Sequence, residues 1–336
     1  MAILFVDGCD WGGNPSQVWG GATQPVNTQT GRFGAANGAI SVPSSASRTF
    51  FAAPASGARV MAGFWFIATA PASNSNLCYF INAANTEWSN IRILSGGTLA
   101  VCGWGGGTSA LGTTAASICD SVWHWVEFDF LFANSGRMRV WVDGVSVIDT
   151  GTIDTLISGT ASVAGLELNH GGLYTAQLDD VVIWDDSGSG LTAADSPIGP
   201  VRIQRLSPNS DASVQWTRST GANNYGVIDD AAPDMTDYVE TSTIGHIDRY
   251  GYSDLATTPI AVLGVSAKNR SNRPSASLAN YRQFIRVGST DYNGTTRLVP
   301  ATNSTYADHW DLNPDGSIAW TPTAVNALQA GFEYTS

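Results

Sequence analysis

The residues best placed to do chemistry are two carboxylates two positions apart, Glu127 and Asp129, in an alternating apolar segment. Two carboxyl groups about 5–5.5 Å apart can hydrolyse a glycosidic bond with retention. A strand that carries Glu-x-Asp-x-x-Glu would supply such a pair, but Phe132 stands where the last carboxylate belongs. Arg139 lies across a predicted hairpin on the same face as Asp129. The sequence therefore favours a cross-strand ion pair over a hydrolase site.

Other catalytic arrangements are missing from the sequence. The histidines are scattered, none stands in an HExxH segment, and there is no Gly-x-Ser-x-Gly turn. His124 follows the apolar side of its strand, where a satisfied core histidine is the expected role. The segment Gly105-Gly-Gly107 lacks the lysine and the helix of a phosphate loop. The sequence predicts no catalytic residue and no enzyme.

Aspartates near the predicted end of the first domain suggest an alternative, a structural calcium ion, because Ca²⁺ prefers oxygen ligands. No ligand loop is complete, so the prediction is that the chain has no cofactor and no metal site. The calcium alternative stays open at Asp7, Asp10, Asp179, Asp180, Asp185 and Asp186. The four cysteines have no CxxC spacing, and buried free thiols are expected.

Three Trp-Gly-Gly triplets place an indole in a glycine-rich segment, at Trp11, Trp19 and Trp104. An indole face can stack on a sugar ring, so these residues are candidate contacts for a surface glycan. The alternative is that each tryptophan closes the edge of the sandwich or contacts another subunit.

The carboxylates must be positioned by the segment from Val122 to Gly151, whose period of two predicts strands. With a three-residue loop at Asn134–Gly136, Phe132 would face Met138, Phe130 would face Val140, and Phe128 would face Val142. The Asp143-Gly144 turn would then place Val142 opposite Val145 and Val140 opposite Val147. This register predicts a three-stranded meander with one continuous apolar face.

Further alternating segments predict an all-β fold, a jelly-roll sandwich followed by a second β-sandwich-like domain. The predicted domains are residues 1–195 and 196–336, joined at a polar segment and two prolines. In the second, segments such as Val201–Leu206, Tyr225–Asp229 and Tyr281–Gly288 are expected to be strands. Thr321 and Pro322 predict the start of a short helix that continues to Gln329.

The composition of the 336-residue chain argues against some classes of binding partner. The net charge of −12 and the low share of charged residues, 13%, argue against nucleic-acid binding. No segment has the length of a membrane span or the pattern of a cleaved signal peptide, so no membrane partner is expected.

Two resemblances go further than the fold class. The segments Trp125-Val-Glu127, Val142-Asp-Gly144 and Leu178–Trp184 resemble strands of the laminin G/concanavalin A-like jelly roll. Ile3–Gly8 and Trp320–Glu333 are similar to the ends of tailed-bacteriophage virion proteins, and Asn224–Asp229 and Pro233–Val239 are similar to internal segments of the same proteins.

The second resemblance implies a non-enzymatic structural protein on the phage tail or head, held by other virion proteins and assembled in the host cytoplasm. It also implies a homo-oligomer, because virions are symmetric. The alternative is a carbohydrate-binding adhesin of the virion that reaches a host-surface glycan through the tryptophan segments, and a hydrolase is the least favoured reading.

Overall fold

The chain divides into two compact units, Met1–Ile203 and Gln204–Ser336, so residues 197–203 belong with the first unit. The computed structural model describes residues 2–9, 20–21, 26–33, 39–41, 47–50, 59–82, 87–103, 109–156, 163–168, 175–187, 197–230, 236–273 and 279–336.

The first unit consists of strands in its described part. They are β1 (Ala2–Asp7), β2 (Gly20–Gly21), β3 (Val26–Gln29), β4 (Ala39–Ser41), β5 (Ser47–Phe50), β6 (Arg59–Ala68), β7 (Ser75–Ile81), β8 (Glu87–Ile93), β9 (Thr98–Cys102), β10 (Ala110–Ser117), β11 (His124–Leu131), β12 (Arg137–Val142), β13 (Val145–Asp149), β14 (Gly165–Leu168) and β15 (Ala176–Asp185).

These strands form two antiparallel sheets. Sheet A has the order β13-β12-β11-β6-β15-β4-β3, with β1 on β15, and sheet B has the order β10-β9-β8-β7-β14-β5-β2. Apolar side chains from both sheets share one buried core, in which the rings of Phe80 of sheet B and Phe130 of sheet A lie 5.6 Å apart. The predicted all-β, concanavalin A-like sandwich is confirmed.

The meander of β11, β12 and β13 is present, but its predicted register is wrong by two residues at the first hairpin. Phe130 pairs with Met138, Phe128 with Val140 and Val126 with Val142. At the second hairpin Val142 pairs with Val145 as predicted, whereas a bulge places Val140 opposite Ile148. A shift of two residues keeps every side chain on its predicted face, so the apolar face survives the error.

The second unit is also built mainly from strands. In the described part they are β16 (Pro208–Ser213), β17 (Thr217–Arg218), β18 (Val239–Glu240), β19 (Ile247–Tyr252), β20 (Val265–Ser271), β21 (Asn280–Val287), β22 (Thr290–Asn293), β23 (Arg297–Leu298), β24 (Ser304–Trp310) and β25 (Gln329–Tyr334).

The main sheet of the second unit has the order β16-β19-β25-β21-β22, with β23 on β21, and β20 pairs separately with β24. Helix α1 (Pro322–Asn326) begins as predicted, with the Thr321 hydroxyl accepting from the Ala324 N–H, but ends earlier because β25 begins at Gln329. Two strand predictions are wrong, since Val201–Leu206 is not a strand and Tyr225–Val227 is a short 3-10 helix.

The cysteines Cys9, Cys78, Cys102 and Cys119 are buried and free, as predicted. Burial, with the nearby Asp120 carboxylate, raises the pKa of the Cys119 thiol to about 12, which favours the neutral form. No helix in the described ranges has the length and apolar character needed to cross a membrane.

Candidate functional site

The outward side of sheet B carries polar side chains on three neighbouring strands, β14, β7 and β8. Leu166, Phe80 and Ile91 of these strands point into the core, so the alternate residues point outward. Glu167 pairs with Tyr79, Tyr79 pairs with Asn90, and Asn76 pairs with Arg92. We call this set the polar face: Asn76, Tyr79, Asn90, Arg92 and Glu167.

The side chains of the polar face are buried at one end and partly exposed at the other. Glu167, Tyr79 and Asn90 are only 4%, 5% and 3% exposed. Asn76 and Arg92 are half-buried. Arg92 lies beside the thiol of Cys102. Burial raises the pKa of this thiol, and the positive charge of Arg92 partly offsets the rise. A ligand would therefore approach the face from the Asn76–Arg92 end.

Asn90 is a residue of the polar face with a buried acceptor that no donor reaches in the described structure. Its Nδ2 donates to Asn76 Oδ1 at 3.0 Å. Its Oδ1 is buried, and no described donor reaches it. A buried acceptor without a donor costs about 1–3 kcal/mol, and such groups need a physical explanation. The acceptor is two residues along β8 from Arg92, whose side chain carries only donors.

The predicted glycan contacts Trp11, Trp19 and Trp104 lie outside the described residues. In the sequence, Trp19 directly precedes β2, and Trp104 follows β9 after one glycine. Both strands belong to sheet B.

The structure places Glu127 and Asp129 on the outward side of sheet A, away from the polar face. Asp129 pairs directly with Arg139 and forms an ion pair with it, as predicted, and also accepts two bonds from Arg59 at 2.7 Å. Glu127 is fully buried and accepts from the Ile198 N–H at 2.8 Å and the Gly199 N–H at 3.1 Å. The Glu127 carboxylate therefore binds the backbone of residues 198 and 199.

The segment 197–203, which we call the strap, covers an aromatic cluster on sheet A that sequence reasoning missed. The cluster contains Trp65, Trp125 and Trp184, and Ile198 and Val201 of the strap pack against it. Trp65 Nε1 donates to the Val201 carbonyl at 2.9 Å. Three tryptophans on outward positions of strands were the available signal, because so much indole surface needs cover.

Four of the aspartates considered for calcium accept hydrogen bonds from the protein. The Asp179 carboxylate accepts from the Arg32 N–H at 2.7 Å, and Asp180 accepts from the Ile203 N–H of the strap at 2.8 Å. Asp185 accepts from Ser187, and Asp7 accepts from the Cys9 N–H. Within the described ranges, no three His, Cys, Asp or Glu side chains come together as metal ligands. Asp10 lies outside the described residues, and the absence of a cofactor stays a prediction.

His124 is not the core histidine that the sequence predicted. Its ring lies at the start of β11 between Asp143, at 2.7 Å from Nδ1, and Asp120, at 3.1 Å from Nε2. Burial lowers the pKa of His124, but the hydrogen bonds and charges of the two aspartates outweigh it, and the net shift is upward. The His124 ring therefore joins strand β11 to the turn before β13.

This upward shift predicts a pH dependence of stability. A histidine whose pKa is higher in the folded state stabilises fully below its unfolded pKa of about 6.5, and the contribution is lost as pH rises through the folded value. We expect His124→Gln to remove this loss when unfolding free energies are measured at about pH 5.5 and pH 8.5. His246→Gln, where the ring contacts the Thr241 hydroxyl, is the control, and an unchanged pH dependence in His124→Gln would contradict the assignment.

No protein-family model matches the chain, and no curated protein sequence is significantly similar to it. Solved structures of similar fold are lectin-like jelly rolls. The cellulose-induced protein Cip1 is 12% identical, with a TM-score of 0.41, over 54% of this chain and 96% of that one. The carbohydrate recognition domain of Emp47p is 11% identical, with a TM-score of 0.33, over 44% and 83%. The endo-β-1,4-glucuronan lyase of the fungus Trichoderma reesei is 14% identical, with a TM-score of 0.32, over 44% and 80%.

The prediction that the chain is not an enzyme is wrong in the light of this comparison. The glucuronan lyase and the alginate lyase Aly36B are among the structures of similar fold. The likeness concerns the fold alone, and no catalytic residue is transferred from it.

Proposed function

We propose that the first unit binds a carbohydrate on the polar face of sheet B. The observation that carries this proposal is the buried Asn90 Oδ1, an acceptor without a described donor, two residues along β8 from Arg92. A sugar hydroxyl both donates and accepts, so one hydroxyl entering beside Arg92 can donate to Asn90 and accept from the guanidinium. The similar structures agree in fold only, so the proposal rests on these side chains.

The tryptophan segments extend this proposal. Trp19 and Trp104 adjoin strands of sheet B in the sequence, and an indole that stacks on a sugar ring would complement the hydrogen-bonding groups of the polar face. Trp11 belongs to the same prediction. We therefore keep these three residues as candidate glycan contacts, to be tested beside Arg92 and Asn90.

The sequence resemblance alone supports the more specific predictions: a virion component with virion partners, an oligomer and a host-surface glycan. Mass spectrometry of purified phage particles tests them directly, and absence of the chain from particles would remove the virion role. The carbohydrate proposal does not depend on that result.

Binding to a panel of immobilised neutral and acidic polysaccharides tests the proposal. We expect Arg92→Gln and Asn90→Ala each to reduce retention at least ten-fold, the effect of losing about one strong hydrogen bond. Asn90→Ala should leave the free energy of unfolding within about 1 kcal/mol, because it also removes the unpaired acceptor. Lost binding with retained stability would separate a ligand role from a structural one.

The control is Arg282→Gln, which removes a half-buried arginine of the second unit that pairs with Glu333. Trp104→Ala in the same assay tests the tryptophan contacts separately. A reducing-end assay on each retained polysaccharide tells whether binding leads to cleavage. Equal retention of the parent, Arg92→Gln and Asn90→Ala proteins would refute the proposed face.

A further inference from the structure

A surface cavity lies on the outward face of sheet A, on the opposite side of the sandwich from the polar face. It has a volume of about 180 Å³ and is lined by Arg59, Asp129, Leu131, Arg137 and Arg139. We call it the arginine pocket. It holds three of the six basic residues that the chain contains before residue 195, in a protein whose net charge is −12.

Strand pairing builds the pocket. Leu131 of β11 pairs with Arg137 of β12 on one side and with Arg59 of β6 on the other. Neighbouring strands lie about 4.8 Å apart, so the two arginines flank Leu131 on a single face of the sheet. Arg139 and Asp129 form the next pair along the same strands, which closes the cavity with a third guanidinium.

The guanidinium groups have more donors than the described acceptors use. Arg137 donates through Nε and Nη2 to Asp149, and Arg139 donates through one Nη2 to Asp129. Each guanidinium offers five N–H groups. In the described part of the chain, Arg139 has no further acceptor, although its guanidinium is held 5.0 Å above the Trp141 ring. Donors that line a cavity and are oriented by a neighbouring ring are suited to a ligand.

The arginines of the pocket are paired with carboxylates. Three guanidinium groups face the carboxylates of Asp129, which is 3% exposed, and of Asp149, which is 37% exposed. The pair with Arg137 lowers the pKa of Asp149 to about 2, so that carboxylate stays charged near neutral pH. Asp186, exposed nearby, is a third carboxylate that acts on Arg59 through longer-range attraction. The three guanidinium groups and the three carboxylates therefore balance in formal charge.

We propose that the arginine pocket binds a singly charged oxoanion group, a carboxylate or a sulfate ester, between Arg137 and Arg139. Such a group matches the forked geometry of the guanidinium donors. The group belongs either to a free small anion or to an acidic polysaccharide. This site is separate from the polar face and does not depend on it.

Two probe classes distinguish the sources. Acetate and methyl sulfate represent the free anion, and polygalacturonate with its methyl-esterified counterpart represents the polymer, all at constant ionic strength. Binding is followed by the NMR signals of the arginine Nε–Hε groups and by titration calorimetry. We expect the Arg137 and Arg139 signals to shift with acetate and methyl sulfate when the anion is free, or only with polygalacturonate when the polymer is required.

Matched variants decide whether the pocket is responsible. Arg139→Gln should weaken binding about ten-fold or more, whereas Arg139→Lys should recover part of it. Asp149→Asn should strengthen binding, because it releases Arg137 and removes a competing negative charge. A purely structural ion-pair network predicts no such gain. Arg286→Gln, which breaks the pair with Asp291 in the second unit, is the control.

The outcomes are distinct. Binding that Arg139→Gln weakens and Asp149→Asn strengthens supports the proposal, with the source given by the probe. Three results would overturn the proposal. They are binding that neither variant changes, signal shifts no larger at Arg137 and Arg139 than at Arg286, and no binding of any probe. Asn90→Ala should leave anion binding intact, so failure here is distinguishable from failure of the polar face.

Discussion

Glu127→Ala is expected to lower the free energy of unfolding of the first unit by about 3–5 kcal/mol. The carboxylate is fully buried and accepts three N–H groups, those of Ile198, Gly199 and the Trp125 indole at 3.2 Å. Alanine would leave these donors buried without an acceptor, at about 1–3 kcal/mol each. The cost is large because one side chain holds both backbone N–H groups at the beginning of the strap.

The strap depends on this carboxylate more than on its apolar contacts. Ile198 and Val201 are the strap residues that pack on the aromatic cluster, and each is only partly buried. Two other polar contacts hold the far end of the strap, Trp65 to Val201 and Asp180 to Ile203. Loss of Glu127 should therefore leave the backbone of the whole strap, including the bond after Arg202, less firmly held.

Chemical denaturation with tryptophan fluorescence measures the stability, and limited trypsin digestion measures the strap. The bond after Arg202 should be cut faster in Glu127→Ala, because the backbone of the strap is less firmly held. Glu127→Gln keeps the shape and one acceptor, and should lose about half as much stability. Asp154→Ala, which removes an exposed carboxylate with a local bond to Leu156, is the control. Parent-like stability and digestion in Glu127→Ala would mean that the carboxylate does not hold the strap.

The central meander was predictable because its alternating pattern is local. Phe128, Phe130 and Val140 reach the predicted face even though the register is shifted. The shift has a tertiary cause: the Thr155 hydroxyl donates to the Leu131 carbonyl at 2.7 Å and accepts from the Ala133 N–H at 3.0 Å. A residue more than twenty positions away therefore fixes a longer loop than turn preferences indicate.

The polar face could not be predicted from local pattern. Tyr79, Asn90 and Glu167 are far apart in the sequence, and they meet only because β14 pairs with β7 and β7 pairs with β8. Segment 201–206 shows the opposite failure. It alternates like a strand, but Val201 accepts from Trp65 and Ile203 donates to Asp180, so side chains take backbone groups that a strand partner would need.

The second large effect is expected at Asp248 in the second unit, where Asp248→Ala should lower the free energy of unfolding by about 4 kcal/mol or more. Asp248 is fully buried on β19. Its Oδ1 accepts from the N–H groups of Gln215 and Trp216 at 2.6 and 2.8 Å. Its Oδ2 accepts from Asn224 Nδ2 at 2.6 Å and the Tyr250 hydroxyl at 2.7 Å.

The four donors differ in how they can respond, and this difference orders three variants. Tyr250→Phe removes one donor and should cost about 1–2 kcal/mol. Burial and the Asp248 carboxylate raise the pKa of Tyr250, so the phenol remains a donor at neutral pH. Asp248→Asn keeps an acceptor for the two backbone N–H groups, while Tyr250 can turn its hydroxyl to accept. Asp248→Asn should therefore lower the free energy of unfolding less than Asp248→Ala, which leaves all four donors without the carboxylate.

Urea unfolding of the three variants, followed by tryptophan fluorescence, tests this order, with the exposed Asp254→Ala as control. Asp248→Ala should be the most destabilising variant, because the backbone N–H groups of Gln215 and Trp216 cannot find another acceptor without local unfolding. Asn224 is tied to the same segment, since its Nδ2 donates to the Trp216 carbonyl. Equal losses for Asp248→Ala and Tyr250→Phe would locate the stabilisation in the tyrosine contact alone. A loss that is largest for Asp248→Ala and smaller for the other two variants would instead assign the stabilisation to the carboxylate. This carboxylate accepts the backbone N–H groups of residues 215–216 in place of a strand partner.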